Sequence, residues 1–199
     1  HPDDELLGCG GAVLKYIDKG FNVAWLICTE PQEGGNWSDD FISKRKNDIN
    51  KVAELIKFKE VFELKLPAAL LDDIPMGDIV SKFSKIYEVF KPNIILTPHR
   101  GDTHSDHRIL FDAVSACSKW FRYPYVNEIY AYETPSETEF NLKSNNLFNP
   151  NVFIDISNYL DKKIEAIQIY DTEIDKFPFP RSMETIEALA KWRGSNSGF

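Results

Sequence analysis

No apolar run in this chain approaches the 18 or more residues of a membrane-spanning helix, so the sequence offers no candidate for one. A surplus of basic charge is also missing. Lys and Arg number 23 against 31 Asp and Glu, a formal net charge of −8, whereas binding a phosphate backbone needs clustered cations. Nucleic acid therefore drops out as a partner. Cysteine is scarce: Cys9, Cys28 and Cys117 are odd in number, far apart and set inside apolar segments. That pattern excludes a disulfide framework and a thiolate zinc cluster, and reads as buried free thiols in a reducing, cytoplasmic compartment. No internal repeat, low-complexity tract or interdomain linker is evident. The composition is ordinary for a globular protein, 43% hydrophobic and 27% charged, and 199 residues suffice for one domain with a sizeable core.

Helical and strand patterns alternate along the chain. Helices are predicted over 6–19 (stopped by Gly20), 41–58, 79–90 and 104–119, with strands over 21–28, 61–66, 94–97, 128–133 and 152–156. Ile79, Val80, Phe83, Ile86, Tyr87 and Phe90 form an amphipathic stripe of core type, and Ser157 is a candidate cap for a helix carrying Leu160, Ile164 and Ile167. Such alternation predicts an α/β fold, a mostly parallel sheet with helices on both faces, in which ligands sit outside the carboxyl ends of the strands. A strand should lead into residue 1, and its absence reads as a chain cut there. The Ser-Asn-Ser-Gly stretch at 195–198 reads as a flexible tail or a fold cut mid-element.

Two clusters carry chemistry. His1-Pro2-Asp3-Asp4-Glu5 precedes the first helix, and His99-Arg100-Gly101-Asp102-Thr103-His104-Ser105-Asp106-His107 follows the 94–97 strand. Together they hold all four histidines of the chain, a concentration that packing does not explain. Imidazole nitrogens plus a carboxylate make a three-ligand zinc site with one position left for water, whose pKa falls to about 7. Asp3 and Asp4 can divide the labour, one ligating and one acting as base. His104 and His107, three apart at a helix start, are neighbours on one face. One can ligate while the other faces the substrate.

His-Pro-Asp-Asp-Glu combined with Asp-x-His-x-Asp-His resembles the PIG-L/LmbE family of zinc-dependent N-deacetylases, which act mainly on N-acetylglucosamine conjugates. The resemblance extends to Arg45-x-x-Asp48, Tyr132-Glu133, the Val-Phe-Ile-Asp-Ile-Ser segment at 152–157 with Lys163, and Arg193-Gly194, and so covers essentially the whole chain. It implies a Rossmann-like fold in a single domain, 1–199, cut at both ends. It further implies zinc on His1, Asp4 and His107, with Fe2+ able to replace it, and Asp3 as general base. His104 would stabilise the tetrahedral oxyanion or protonate the leaving amine, Asp106 would orient His104, and Arg45 would contact sugar hydroxyls. The implied partner is a small-molecule amino-sugar conjugate, and a homo-oligomer is compatible with all of this. One departure is Asp48, where the family usually has Glu.

Plainer readings stand beside these. Asp3, Asp4 and Glu5 suit a helix's first turn, and Thr103-x-x-Asp106 suits a capping box, but neither reading accounts for the histidines. His99 reads as a hydrogen-bonded loop residue at least as well as a ligand, and an exposed helix arginine is the ordinary expectation for Arg45. Trp37 with Gly34-Gly35 reads as a loop lining a pocket. Rival functions are a non-catalytic sugar- or metal-binding module, a hydrolase of another amide or ester, and phosphoester hydrolysis. The last needs two metals, and ligands are evident for one. Copper chelation by an N-terminal histidine would require export and a true N-terminus at His1.

Overall fold

The structure, a computed structural model, describes residues 1–32, 37–143 and 145–199. The expectation at Gly34-Gly35 lies outside these. The chain forms two compact units: His1–Trp25, Pro31–Val61 and Asn149–Phe199 make the first, Leu26–Glu30 and Phe62–Phe148 the second.

The first unit is helical. Helix α1 (Asp4–Asp18) carries Asp4 and Glu5 in its first turn and buries Leu6, Leu7, Cys9, Val13 and Leu14. Gly11 faces the side chain of Ile156 so closely that a Cβ there would lie 2.6 Å from it, which gives this mid-helix glycine a packing reason. Strand β1 (Ala24–Glu30) starts later than predicted, because Gly20 and Phe21 donate their backbone N–H groups to Ile17 and Tyr16 in closing α1. Helix α2 (Asp39–Ile56) is capped by Ser38, whose side chain accepts from the Phe41 N–H at 3.2 Å. Its buried stripe is Arg45, Asp48, Val52 and Ile56, so two charged residues lie on the face that packs inward.

The predicted strand at 152–156 does not form. Lys15 Nζ donates to the Asp155 carbonyl at 2.6 Å, the Ile156 carbonyl accepts from the Tyr159 N–H at 2.8 Å, and the Asp155 carboxylate accepts from the N–H and hydroxyl of Ser157. That use of Ser157 also removes it as a helix cap, and the helix starts after Tyr159. This helix, α5 (Leu160–Ile167), packs on α1, α2 and a final helix α6 (Met183–Ser197). Residues 195–197, read as a tail or a cut end, are thus helical. Ser182 caps α6, and Ile186 is its one buried residue. An amphipathic stripe was therefore not there to be read.

In the second unit, β2 (Glu60–Pro67, from Phe62 onward) pairs with β1, and β3 (Ile94–Pro98) pairs in parallel with β4 (Glu128–Tyr132), Ile94 facing Glu128 and Pro98 facing Tyr132. Helix α3 (Met76–Phe90) packs on α4 (Ser105–Ala116), and α4 also packs on β3 and on a 3₁₀ turn at Leu71–Asp73. Ile79, Phe83 and Tyr87 of α3 meet Leu110, Ala113, Val114 and Cys117 in one core with Leu64, Leu66 and Leu71. Helices alternating with short strands, with the β3–β4 pair parallel, are the expected α/β arrangement. All three cysteines are free and buried.

Candidate active site

One group of motif residues lies at the start of α1, in the first unit. His1 Nδ1 lies 3.0 Å from Asp4 Oδ2. Asp3 occupies the N-cap position with φ 145°, a conformation L residues rarely adopt, and its carbonyl accepts from the N–H groups of Leu6 and Leu7 at 2.9 Å each. The Asp3 N–H donates to Glu5 Oε2 at 3.1 Å, while Asp3 Oδ2 accepts from Arg181 Nη1 at 3.2 Å. Burial, followed by the Asp4 carboxylate, pushes Asp3 up to about 7 from an ordinary 3.8. Burial, followed by Asp3, pushes Glu5 up to about 8 from 4.5.

Glu5 therefore binds its proton more tightly folded than unfolded. Its contribution to stability is fully present below about 4.5 and is lost as the pH rises through 8. Metal-free protein is expected to lose denaturant resistance across that window, with a slope from this group of at most about 1.4 kcal/mol per pH unit. Glu5→Gln should reduce the slope, and Asp3 should keep part of it between 3.8 and about 7. Urea unfolding between pH 4.5 and 8.5 reads both, and an unchanged slope in Glu5→Gln would show that the Glu5 carboxyl is not the source.

Arg45 is not the exposed helix arginine of the ordinary expectation. It is 7% exposed, donates to the Pro2 carbonyl at 2.9 Å, pairs with Glu173, and lies over the rings of Phe41 and Tyr170 at 5.2 and 5.1 Å. Its guanidinium is engaged with the turn that carries Asp3.

The other group lies on the loop from β3 into α4, in the second unit. His104, not Thr103, is the N-cap: its Nδ1 accepts from the Asp106 N–H at 3.1 Å. The Asp106 carboxylate accepts from the N–H groups of Ala69 at 2.7 Å and Leu71 at 3.2 Å. His107 is fully buried, with Nδ1 2.8 Å from Asp102 Oδ2, and Thr138 Oγ1 donates to the other Asp102 oxygen at 2.7 Å. The rings of His104 and His107 stack with centroids 5.4 Å apart. His99 Nε2 sits 3.1 Å from the Asn146 carbonyl, the hydrogen-bonded loop role expected of it.

These partners suit opposite tautomers of the two rings. The Asp102 carboxyl oxygen on Nδ1 of His107 suits Nδ1–H and a lone pair on Nε2, the form that binds a metal. A backbone N–H directed at Nδ1 of His104 requires the lone pair there and puts the proton on Nε2, the form that donates to an anion.

The sequence reading assigned no role to Asp102, Glu5, Glu173 or Arg181. Asp102 had a signal, a carboxylate five residues before a histidine in a metal-type motif. Glu173 and Arg181 had none, since Glu173 lies 128 residues from Arg45 and Arg181 lies 178 residues from Asp3.

The chain spans 100% of its match to a diacetylchitobiose deacetylase of Thermococcus kodakarensis at 23% identity, covering 76% of that protein. It is 27% identical over 142 residues, 68% of the chain, to an Escherichia coli protein named uncharacterized deacetylase YaiS, of which 71% is covered. The family model PIG-L, described as GlcNAc-PI de-N-acetylase, matches residues 1–118. The chain belongs to that family. Solved structures show that the fold of this chain is Rossmann-like. An N,N′-diacetylchitobiose deacetylase from Pyrococcus horikoshii aligns with TM-score 0.76 at 19% identity, over 100% of this chain and 77% of that one. Teicoplanin deacetylase Orf2, in a zinc-inhibited form, aligns with TM-score 0.77 at 14% identity, over 100% and 91%. A 4-carboxy-2-hydroxymuconate hydratase from Pseuodomonas putida KT2440 aligns with TM-score 0.72 at 20% identity, over 99% and 84%. The family thus supports hydrolytic deacetylation, while the fold by itself accommodates a hydratase. Among the described residues, no helix is long and apolar enough to cross a membrane.

Proposed function

We propose that this chain hydrolyses the N-acetyl group of an N-acetylglucosamine-type conjugate, releasing acetate and a free amine, with zinc held by His1, Asp4 and His107. The observation that carries the reading is the hydrogen bonding of the two histidines: buried Asp102 lies on Nδ1 of His107, leaving Nε2 for a metal, and the Asp106 N–H lies on Nδ1 of His104, leaving Nε2 to donate. Two imidazoles and one carboxylate suit zinc, and Fe2+ suits the same donors. When bound, the ion supplies Lewis acidity and lowers the pKa of a coordinated water to about 7.

The chain's own residues then do the following. Asp3 accepts a proton from the attacking water as its oxygen bonds to the amide carbon. His104 donates from Nε2–H to the oxygen that gains negative charge. The C–N bond breaks as Asp3 returns the proton to the departing nitrogen. Asp106 fixes the His104 ring by its N–H, and Asp102 fixes His107. Arg45 supports the His1–Asp3 turn, while contact with sugar hydroxyls would engage whatever donor capacity its Pro2 and Glu173 bonds leave. The substrate is a small amino-sugar conjugate, and buried reduced thiols suit a cytoplasmic location.

Asp102→Asn is expected to weaken zinc by about 10–100-fold, the usual effect of losing an outer hydrogen-bond partner. Competitive zinc titration measures it, and wild-type affinity would mean His107 is not a ligand. The proposed activity is tested by screening N-acetylglucosamine derivatives for acetate and amine released one to one. Release of neither, with turnover of an ester or hydration of an enoate, would favour the second reading that the hydratase neighbour suggests: other water chemistry on the same fold.

A further inference from the structure

Asp3 has its backbone fixed as the N-cap of α1, but a base must also have its carboxylate aimed. The side-chain contact that does this comes from the segment between α5 and α6. Arg181 Nη1 donates to Asp3 Oδ2 at 3.2 Å and to Glu173 Oε2 at 3.1 Å. The other oxygen of Glu173 is on Arg45, and Arg45 returns to the Pro2 carbonyl at 2.9 Å. The contacts therefore run Pro2–Arg45–Glu173–Arg181–Asp3 and close on two adjacent residues. Two cations and two carboxylates balance, which is the condition under which a largely buried ionic cluster is tolerable. Each arginine is further held by aromatic rings: Arg45 over Phe41 and Tyr170, Arg181 over Phe179 at 5.5 Å. The Phe179 carbonyl accepts from the Ser182 N–H at 2.9 Å, so the Arg181 backbone sits in a turn that ends at the cap of α6.

We infer that Arg181, held by Glu173, is a positioning residue that aims the Asp3 carboxylate, and that the segment between α5 and α6 is thereby part of the reaction machinery. The inference rests on Asp3 being the base. Arg181 touches no reacting atom. Its effect runs through Asp3 and should vanish when Asp3 cannot act.

The test is a double-mutant cycle on zinc-loaded protein with N,N′-diacetylchitobiose as substrate. Arg181→Gln should lower kcat on the order of 10–100-fold, the effect of losing a charge-assisted hydrogen bond, with KM and zinc content near wild type. Arg181→Lys should recover part of the loss. In an Asp3→Asn background, Arg181→Gln should change kcat by less than about 2-fold, because groups acting through one another are not additive. Equal losses in both backgrounds, or none in the wild-type background, would overturn the inference alone. Near-wild-type turnover by Asp3→Asn would overturn the assignment of the base, and this inference with it. A readout free of turnover is the nitrogen-15 spectrum of the arginine guanidinium groups. Rotation of the Arg181 group should be slow in wild type and fast in Glu173→Gln. Fast rotation in wild type would contradict the inference.

Discussion

Asp3→Asn is expected to keep its zinc and lose on the order of 10²–10⁴-fold in kcat, the usual range for a group that transfers the proton. The amide preserves the shape of the carboxylate and its ability to accept from Arg181 through oxygen, so the backbone geometry at φ 145° should survive. What is lost is the capacity to take a proton from water and return it to the departing nitrogen. The same assignment fixes the pH profile. Burial and Asp4 push Asp3 up to about 7, and a bound dication beside it acts in the opposite direction. As a base Asp3 must be ionised, so kcat/KM should rise with pH on an acid limb at or below about 7. Near-wild-type kcat in Asp3→Asn would remove Asp3 as the base.

His107→Ala is expected to abolish most zinc binding and nearly all activity, whereas His104→Ala should keep the metal and lose about 10²–10³-fold in kcat, the effect of deleting one donor to a developing oxyanion. The contrast follows from the tautomers. The Asp102–His107 pair presents a lone pair at Nε2, and the Asp106 N–H on His104 leaves that ring a proton to give. For His107 the fall in zinc affinity should exceed the roughly 10–100-fold of losing the outer partner Asp102. Elemental analysis and zinc titration decide it. Zinc lost from His104→Ala and retained by His107→Ala would reverse the two roles.

The helices with clear apolar stripes were legible in sequence. Ile79, Phe83 and Tyr87 face the core of the second unit as their spacing predicts. The motif residues also fell where strand or loop hands over to helix: Asp3 and Asp4 at the start of α1, His104 and His107 at the start of α4. Several illegible features depend on hydrogen bonds from far away in the chain. Residues 152–156 alternate like a strand, but Lys15, 140 residues distant, takes the Asp155 carbonyl. Thr103 has the spacing of a cap, yet Ala69 and Leu71 claim the Asp106 carboxylate and His104 is the cap. Arg45 has the sequence context of a surface arginine until Glu173 and the Pro2 carbonyl bury it. Helix α6 buries too little apolar surface to leave a periodic signal.

The central claim, metal-dependent removal of an acetyl group from an amino-sugar amide, is tested most directly by titrating zinc into metal-stripped protein while following acetate release from N,N′-diacetylchitobiose. The account predicts negligible release without metal and a rise that saturates at one zinc per chain, with a free amine formed for each acetate. Release that is unchanged by stripping, or a folded one-zinc protein that liberates no acetate from this or any other N-acetylglucosamine derivative, would contradict it.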